Sequence, residues 1–278
     1  MNDRGSSTAG LALQTSYRGD RAAGPQWIEE KAMIDVHYLP SANGKKVSIM
    51  LEEVGLPYRI LPYDLLAGDH LTADYLAINP NGRLPAIVDH EPTGGGGPLA
   101  VFESGAILMY LSDKAGGALM PSGPRGRSTA LQWLIWQVAG FGPMLGQAVH
   151  FRKFAPEGQD YSTARYLREA RRLFAVLESR LVAVEYLADE YSIADIAVWP
   201  WVSAIRPTLH IDLAEYPAIG RWFADIAKRP AVARGTAHQL ADSKLLASRP
   251  DLNRQEWSNL FGDTYPGAQH DTAAAGRS

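Results

Sequence analysis

A short polar segment, Ser41-Ala42-Asn43-Gly44, leads from a predicted strand into a helix expected to begin near Lys45. A hydroxyl and an amide donor at a helix N-terminus are groups that stabilise an anion such as a thiolate. The chain has no cysteine, so a reacting thiol must come from a bound molecule. Asn43 and Ser41 are therefore catalytic candidates. On the residues alone an ordinary Asn-Gly turn is the simpler interpretation, and Tyr38 offers a competing hydroxyl more typical of a packed strand position.

Two further motifs are suited to binding an extended, charged ligand. Glu103-Ser104 stands between a predicted strand and a predicted helix, where the Ser104 N–H and hydroxyl could hold a carboxylate and Glu103 an ammonium. A serine at this place is more often only a helix cap. Pro85 follows Leu84 at a strand start. A cis bond there would free the Leu84 backbone to pair with a ligand, a trans bond would merely begin the strand, and the residues leave both open.

The elements that must position these motifs alternate in the first half of the chain. Hydrophobic periodicity and turn residues predict the order βαβαββα. The predicted elements are strand 33–39, helix 45–54 closed by Gly55, strand 58–65, helix 72–78, a hairpin of 85–90 and 98–103 around EPTGGGG, and helix 104–115. The crossover helix makes the first strands parallel, and the hairpin is antiparallel.

The second half carries helical periods without a convincing strand. The predicted helices are 126–153, 160–186, 193–206 and 216–229. Ser192 and Asp195 fit a capping box, for which we expect a purely structural role. We expect an N-terminal arm at 1–31, an α/β domain at 32–116, a linker at 117–126, a helical domain at 127–245 and a C-terminal extension at 246–278.

Composition excludes several classes of protein. The 278 residues are 46% hydrophobic and 21% charged, typical of globular chains, and a net charge of −3 gives no field that would collect nucleic acid. No apolar run reaches the roughly 18 residues of a membrane helix, and the first 30 residues lack the pattern of a secretion signal, so we expect a cytoplasmic protein. His70, His90 and His150 lack the spacing of metal ligands, so we expect no metal.

Together these motifs resemble those of the cytosolic glutathione transferases over roughly residues 33–235. The segments SANGKKVSIMLEE, INPNGRLPAIVD, FESGAILMYL and YSIADIAVWPWV resemble more narrowly the nu class, the bacterial disulfide-reducing transferases. The resemblance implies a thioredoxin-like N-terminal domain (βαβαββα), an all-helical C-terminal bundle, a homodimer, and glutathione as co-substrate. Where the nu class has Thr-Pro-Asn-Gly, this chain has Ser41 and Ala42, which keep the hydroxyl but leave a looser loop.

The resemblance also implies a cis Leu84-Pro85 bond and a set of glutathione ligands. By correspondence of position these are His70, Arg83, Leu84, Pro85, Glu103, Ser104 and Arg165. Relatives more often have Gln at the His70 position, so a surface histidine is the alternative there. Arg165 corresponds to an arginine that holds a second glutathione, Arg152 is the other candidate, and a solvated helix face is the alternative for both.

With no protein cysteine, disulfide exchange must run between glutathione thiols and the substrate. The resemblance implies a glutathione-dependent disulfide-bond oxidoreductase that binds two glutathione molecules, or one glutathione disulfide, per active site. A conventional transferase or peroxidase acting on electrophiles or hydroperoxides is the first alternative. A non-catalytic regulatory protein of the same fold is the second. Trp133, Trp136, Trp199 and Trp201 could wall a substrate pocket, although tryptophans at helical spacing are more often core.

Overall fold

The computed structural model of the protein describes residues 33–239 and 243–262, and the predicted arm at 1–31 lies outside this range. The described elements, in chain order, are β1 (Ile34–Tyr38), α1 (Ala42–Val54), β2 (Tyr58–Pro62), α2 (Ala73–Ile78), β3 (Ala86–Asp89), β4 (Leu99–Phe102), α3 (Ser104–Lys114), α4 (Pro124–Trp136), α5 (Gly142–Lys153), α6 (Asp160–Ala183), α7 (Ile193–Leu209), α8 (Pro217–Ala227), α9 (Pro230–Gly235) and α10 (Arg254–Phe261). The predicted α/β domain followed by a helical domain is confirmed.

The sheet has the order β2-β1-β3-β4, in which β1 and β2 are parallel and the other pairs antiparallel. β1 is buried along its whole length, whereas β4 forms an edge and exposes Leu99 and Phe102. All four strands are shorter than the predicted runs, because the flanking residues leave the ladder for loops. The predicted order βαβαββα is confirmed.

α1 begins at Ala42, earlier than expected, because Ser41 acts as its N-cap: the Ser41 hydroxyl oxygen accepts from the Gly44 N–H. The helix ends as predicted at Gly55, which adopts a left-handed φ of 68°. Its buried face packs against α3 and the C-terminal helices α7 and α9. At Gly235 of α9 a Cβ would lie 2.6 Å from the Ile49 Cα, so the two helices meet backbone to backbone.

The predicted single helix at 126–153 is interrupted by one π-helical turn. This turn, Gln137–Phe141, joins α4 to α5 without a loop, and the Gly142 N–H donates to the Gln137 carbonyl. A π turn inserts one residue into the helical period, so it changes which side chains face the neighbouring domain. Within the described residues, Gln137 is wholly buried and points toward the N-terminal domain, where it meets Lys46.

The capping box predicted at Ser192 and Asp195 is present at the start of α7. The buried Asp195 carboxylate accepts from the Leu187 and Ser192 N–H groups and from the Trp222 indole. One core runs through both domains and includes Trp199, as expected for a core tryptophan, since its ring stacks on Phe223.

The segment 243–262 joins the two domains. It carries α10, which lies inside the region 246–278 predicted as an extension. Leu252, Trp257 and Leu260 form a small cluster with Leu65 and Leu66 of the N-terminal domain and Phe154 at the end of α5. The Lys153 ammonium donates to the Leu245 carbonyl, which adds a polar anchor on the helical domain. In the described part of the chain, no helix is long and apolar enough to cross a membrane.

Candidate functional site

The strand register brings three of the predicted motifs to one edge of the sheet. Ala86, the first residue of β3, lies opposite His37 near the end of β1 and opposite Phe102 at the end of β4. Consequently Leu84-Pro85, the Ser41–Gly44 segment and Glu103-Ser104 converge on the same edge. Residues far apart in sequence thus form one continuous candidate site.

The first turn of α1 provides two donors at this edge. Ser41 uses its oxygen as an acceptor for the cap, which leaves its hydroxyl hydrogen free to donate. Asn43 lies within the helix, so the interpretation of Asn-Gly as a separate turn is wrong. A Cβ at Gly44 would lie 1.9 Å from the Leu39 carbonyl oxygen, which explains why glycine follows Asn43.

Two aromatic side chains near the start of α1 have different surroundings: Trp201 contacts Asn43, and Tyr38 is buried in the core. Trp201 of α7 donates its indole N–H to Asn43 Oδ1 at 2.9 Å. Tyr38, the competing hydroxyl, is 2% exposed and its ring packs on His238. Burial raises the pKa of the Tyr38 phenol, so this side chain stays neutral and belongs to the core.

The first turn of α3 is a candidate anion site built from backbone N–H groups. Its N-cap residue Glu103 makes no side-chain capping bond, so the first N–H groups of α3 have no such partner. Glu103 holds a φ of 69°, a left-handed conformation that is unfavourable for a residue with a Cβ and is typical of binding sites. The Glu103 side chain remains exposed, and Ser104 beside it is buried.

Lys46 lies beneath this anion site and was not identified from the sequence. Its side chain is 1% exposed, and its ammonium donates to Ser104 Oγ at 3.2 Å and to Gln137 Oε1. Burial lowers the pKa of Lys46 to about 7, an effect that the Glu103 charge partly opposes. Because Ser104 Oγ accepts from the Lys46 ammonium, the serine hydroxyl hydrogen stays available to donate to an anion. One signal in the sequence could have identified Lys46: it lies one helical turn before Met50, on the apolar face of α1.

The Leu84-Pro85 peptide bond is cis, as the family resemblance implied. Neither the N–H nor the carbonyl of Leu84 makes a hydrogen bond with any residue in 33–239 or 243–262. Just upstream, the Arg83 carbonyl accepts from the Tyr75 hydroxyl and the Asn79 amide, both at 2.6 Å. The loop before β3 is therefore held firmly, while the Leu84 N–H and carbonyl stay free to pair with an extended ligand.

His70 and Arg83 contact α10. His70 is 1% exposed, so the alternative of a surface histidine is wrong, and its Nε2 donates to the Asn259 carbonyl at 3.0 Å. Burial lowers the pKa of His70, which favours the neutral ring. Arg83 donates from Nη1 to the Leu260 carbonyl at 3.0 Å and keeps its other N–H groups. The structure leaves Arg83 exposed at the site and places His70 under α10.

The two candidate arginines for a second anion lie at one end of the helical domain. Arg152 is in the last turn of α5, and Arg165 is in α6; the rings of the adjacent Phe151 and Tyr166 stack at 5.3 Å. Arg165 is half exposed, and among the described residues its ion-pair contact is a long 3.7 Å approach to Glu169. Within the described residues no group of His, Asp or Glu is arranged to hold a metal ion.

Comparison with known proteins gives this arrangement a family context. Residues 32–113 match the model for the glutathione S-transferase N-terminal domain, and residues 160–225 match a glutathione S-transferase C-terminal domain. The chain is 47% identical over 214 residues to the disulfide-bond oxidoreductase YfcG of Escherichia coli, covering 76% of this chain and 99% of that one.

Solved structures agree with these matches. A glutathione transferase family member from Pseudomonas fluorescens, solved with two glutathione bound, has a TM-score of 0.70 and 40% identity, covering 75% of this chain and 94% of that chain. A glutathione transferase from Pseudomonas putida, with one glutathione disulfide bound per subunit, has a TM-score of 0.71 and 38% identity, covering 76% and 93%.

Proposed function

We propose that this chain, which belongs to the glutathione S-transferase family, is a nu-class enzyme that reduces disulfide bonds with glutathione. The observation that carries the proposal is a convergence at one edge of the sheet. Donors from α1 and α3 meet there with the unpaired N–H and carbonyl of Leu84, in a chain without cysteine. The similarity to YfcG, named a disulfide-bond oxidoreductase, supports the same reaction.

In this proposal the first glutathione lies along the sheet edge. Its γ-glutamyl carboxylate meets the α3 N-terminus and the Ser104 hydroxyl, and its ammonium meets Glu103. Its cysteinyl backbone pairs with Leu84 beside Pro85, and Arg83 uses its remaining N–H groups for the glycyl carboxylate. His70 acts by holding α10 against this loop, since its ring is buried there.

The reaction proceeds by two thiol–disulfide exchanges. Asn43 and Ser41 donate hydrogen bonds to the first glutathione sulfur, which favours its thiolate. That thiolate attacks the substrate disulfide, forms a mixed disulfide and releases one substrate thiolate. A second glutathione thiolate attacks the glutathione sulfur of the mixed disulfide, releasing the other substrate thiolate and glutathione disulfide. The released thiolates take up the protons lost by the two glutathione thiols, so atoms and electrons balance.

The second glutathione needs an anion partner of its own. Arg165 is the better candidate, because within 33–239 and 243–262 its half-exposed guanidinium makes only a long contact with Glu169. Arg152 is the other candidate at the same end of the helical domain. The Pseudomonas fluorescens relative, solved with two glutathione bound, supports a site of this capacity.

We further propose that the protein acts as a homodimer in the cytoplasm, where glutathione is kept reduced. Support for the dimer comes from apolar surface: Leu99 and Phe102 on the edge strand β4 are 42% and 38% exposed, and Ile135 on α4 is 55% exposed.

The test is turnover of a small model disulfide, bis(hydroxyethyl) disulfide, with glutathione and coupled glutathione reductase. A chlorinated aromatic substrate is conjugated in parallel with the same preparation. We expect rapid disulfide reduction and feeble conjugation. The reverse result would make the protein a conventional transferase, and inactivity in both assays despite glutathione binding would make it a regulatory protein.

A further inference from the structure

A carboxamide stabilises or destabilises a nearby thiolate according to its orientation. Its two ends are similar in size, but the NH2 end donates hydrogen bonds and the oxygen end only accepts them. In the proposed reaction the Asn43 NH2 must face the glutathione sulfur, because the oxygen would repel the anion. Something in the protein must therefore select one of the two orientations.

Trp201 is suited to make this selection. An indole N–H can only donate, so the Asn43 atom 2.9 Å from Trp201 Nε1 has to be the oxygen, Oδ1. Asn43 Nδ2 is thereby turned the other way, and it donates to no residue in the described part of the chain. The Trp201 N–H in the helical domain thus sets the direction in which the Asn43 NH2 group of the N-terminal domain points.

The indole ring lies against α5 at two glycines one helical turn apart. A Cβ on Gly142 would lie 3.3 Å from Trp201 Cζ2, and a Cβ on Gly146 would lie 3.7 Å from Trp201 Cη2. A side chain at position 142 would crowd the ring, so Gly142 lets the indole lie close against α5. The ring of Trp199, two residues earlier, donates instead to the Phe223 carbonyl, away from Asn43.

We propose that Trp201 is a positioning residue that fixes the Asn43 amide with its NH2 group toward the glutathione sulfur. This inference rests on the proposed function. Trp201 acts through Asn43, and the π turn before Gly142 sets the register of α5 that accommodates the indole.

The variant Trp201→Phe keeps an aromatic ring and removes the N–H, and Trp199→Phe on the same helix is its matched control. Losing the orientation of one hydrogen bond should lower kcat about three- to tenfold, with KM nearly unchanged, and raise the thiol pKa of bound glutathione. The pKa is read from the ultraviolet absorbance of the thiolate. The Trp199→Phe control should leave both quantities unchanged.

A double-mutant cycle separates positioning from a general structural role. If Trp201 acts only through Asn43, the double variant Asn43→Ala/Trp201→Phe should be no slower than Asn43→Ala alone. Independent, additive losses would overturn the proposal, and so would a Trp201→Phe enzyme with wild-type kcat and thiol pKa.

Should Trp201→Phe fail to fold, the contact is tested from the other side. The chain has seven tryptophans, so isotope-labelled protein gives seven indole N–H signals. In Asn43→Ala one of them should lose its protection from solvent exchange, and an unchanged set would contradict the proposal. The indole signals and the thiol pKa need no disulfide substrate. An enzyme inactive toward disulfides would therefore refute the proposed function while leaving this inference testable.

Discussion

Replacing Lys46 by Met should change how the stability of the protein depends on pH. In the folded protein burial lowers the pKa of this ammonium to about 7, from an ordinary value of 10.5. Between these two values the unfolded chain binds one proton more than the folded chain, so Lys46 makes the free energy of unfolding rise with pH. At one proton the slope approaches about 1.4 kcal/mol per pH unit.

From about pH 7 to about pH 9 the wild type should therefore gain about 2 kcal/mol relative to Lys46→Met. Urea denaturation followed by tryptophan fluorescence at the two pH values measures this difference. Lys45→Met is the control, because Lys45 is only half buried and burial lowers its pKa less than it lowers the pKa of Lys46.

Saturating glutathione should flatten the wild-type slope, since a carboxylate bound at Ser104 favours the Lys46 ammonium. Parallel stability curves for the wild type and Lys46→Met, without ligand, would show that Lys46 keeps an ordinary pKa when folded and would refute this reasoning.

Three other substitutions test separate parts of the account. Asn43→Ala should lower kcat for disulfide reduction about 10²–10³-fold while the glutathione Kd stays within about threefold, and near-normal turnover would remove Asn43 from the chemistry. Arg165→Ala should weaken only the second glutathione in calorimetry, and an unchanged titration would assign that role elsewhere. Asp195→Asn puts an NH2 group against buried donors, so it should lower the free energy of unfolding by about 3 kcal/mol in urea, and a loss below about 1 kcal/mol would contradict the bonding described.

The local parts of the fold could be predicted from the sequence. Runs rich in β-branched and aromatic residues indicated the first two strands, and Gly55 and the Ser192–Asp195 box marked helix ends, because these signals act within a few residues. The cis bond at Pro85 could not be derived from the residues alone and came from the family resemblance.

Long-range contacts could not be predicted in this way. The hydrogen bond between Lys46 and Gln137 depends on a π turn. The helical period of 126–153 gives no sign of this turn. The bond between Trp201 and Asn43 joins elements from different domains, so no local pattern carries it. His70 is buried because α10 packs over it, which is a property of tertiary structure.

The central claim is that two glutathione thiols perform the exchange in a site without a protein thiol. Calorimetric titration of the wild-type protein with glutathione, and separately with glutathione disulfide, tests it most directly. We expect two glutathione molecules or one glutathione disulfide per chain, each excluding the other. A single glutathione per chain, with glutathione disulfide failing to compete, would contradict the account.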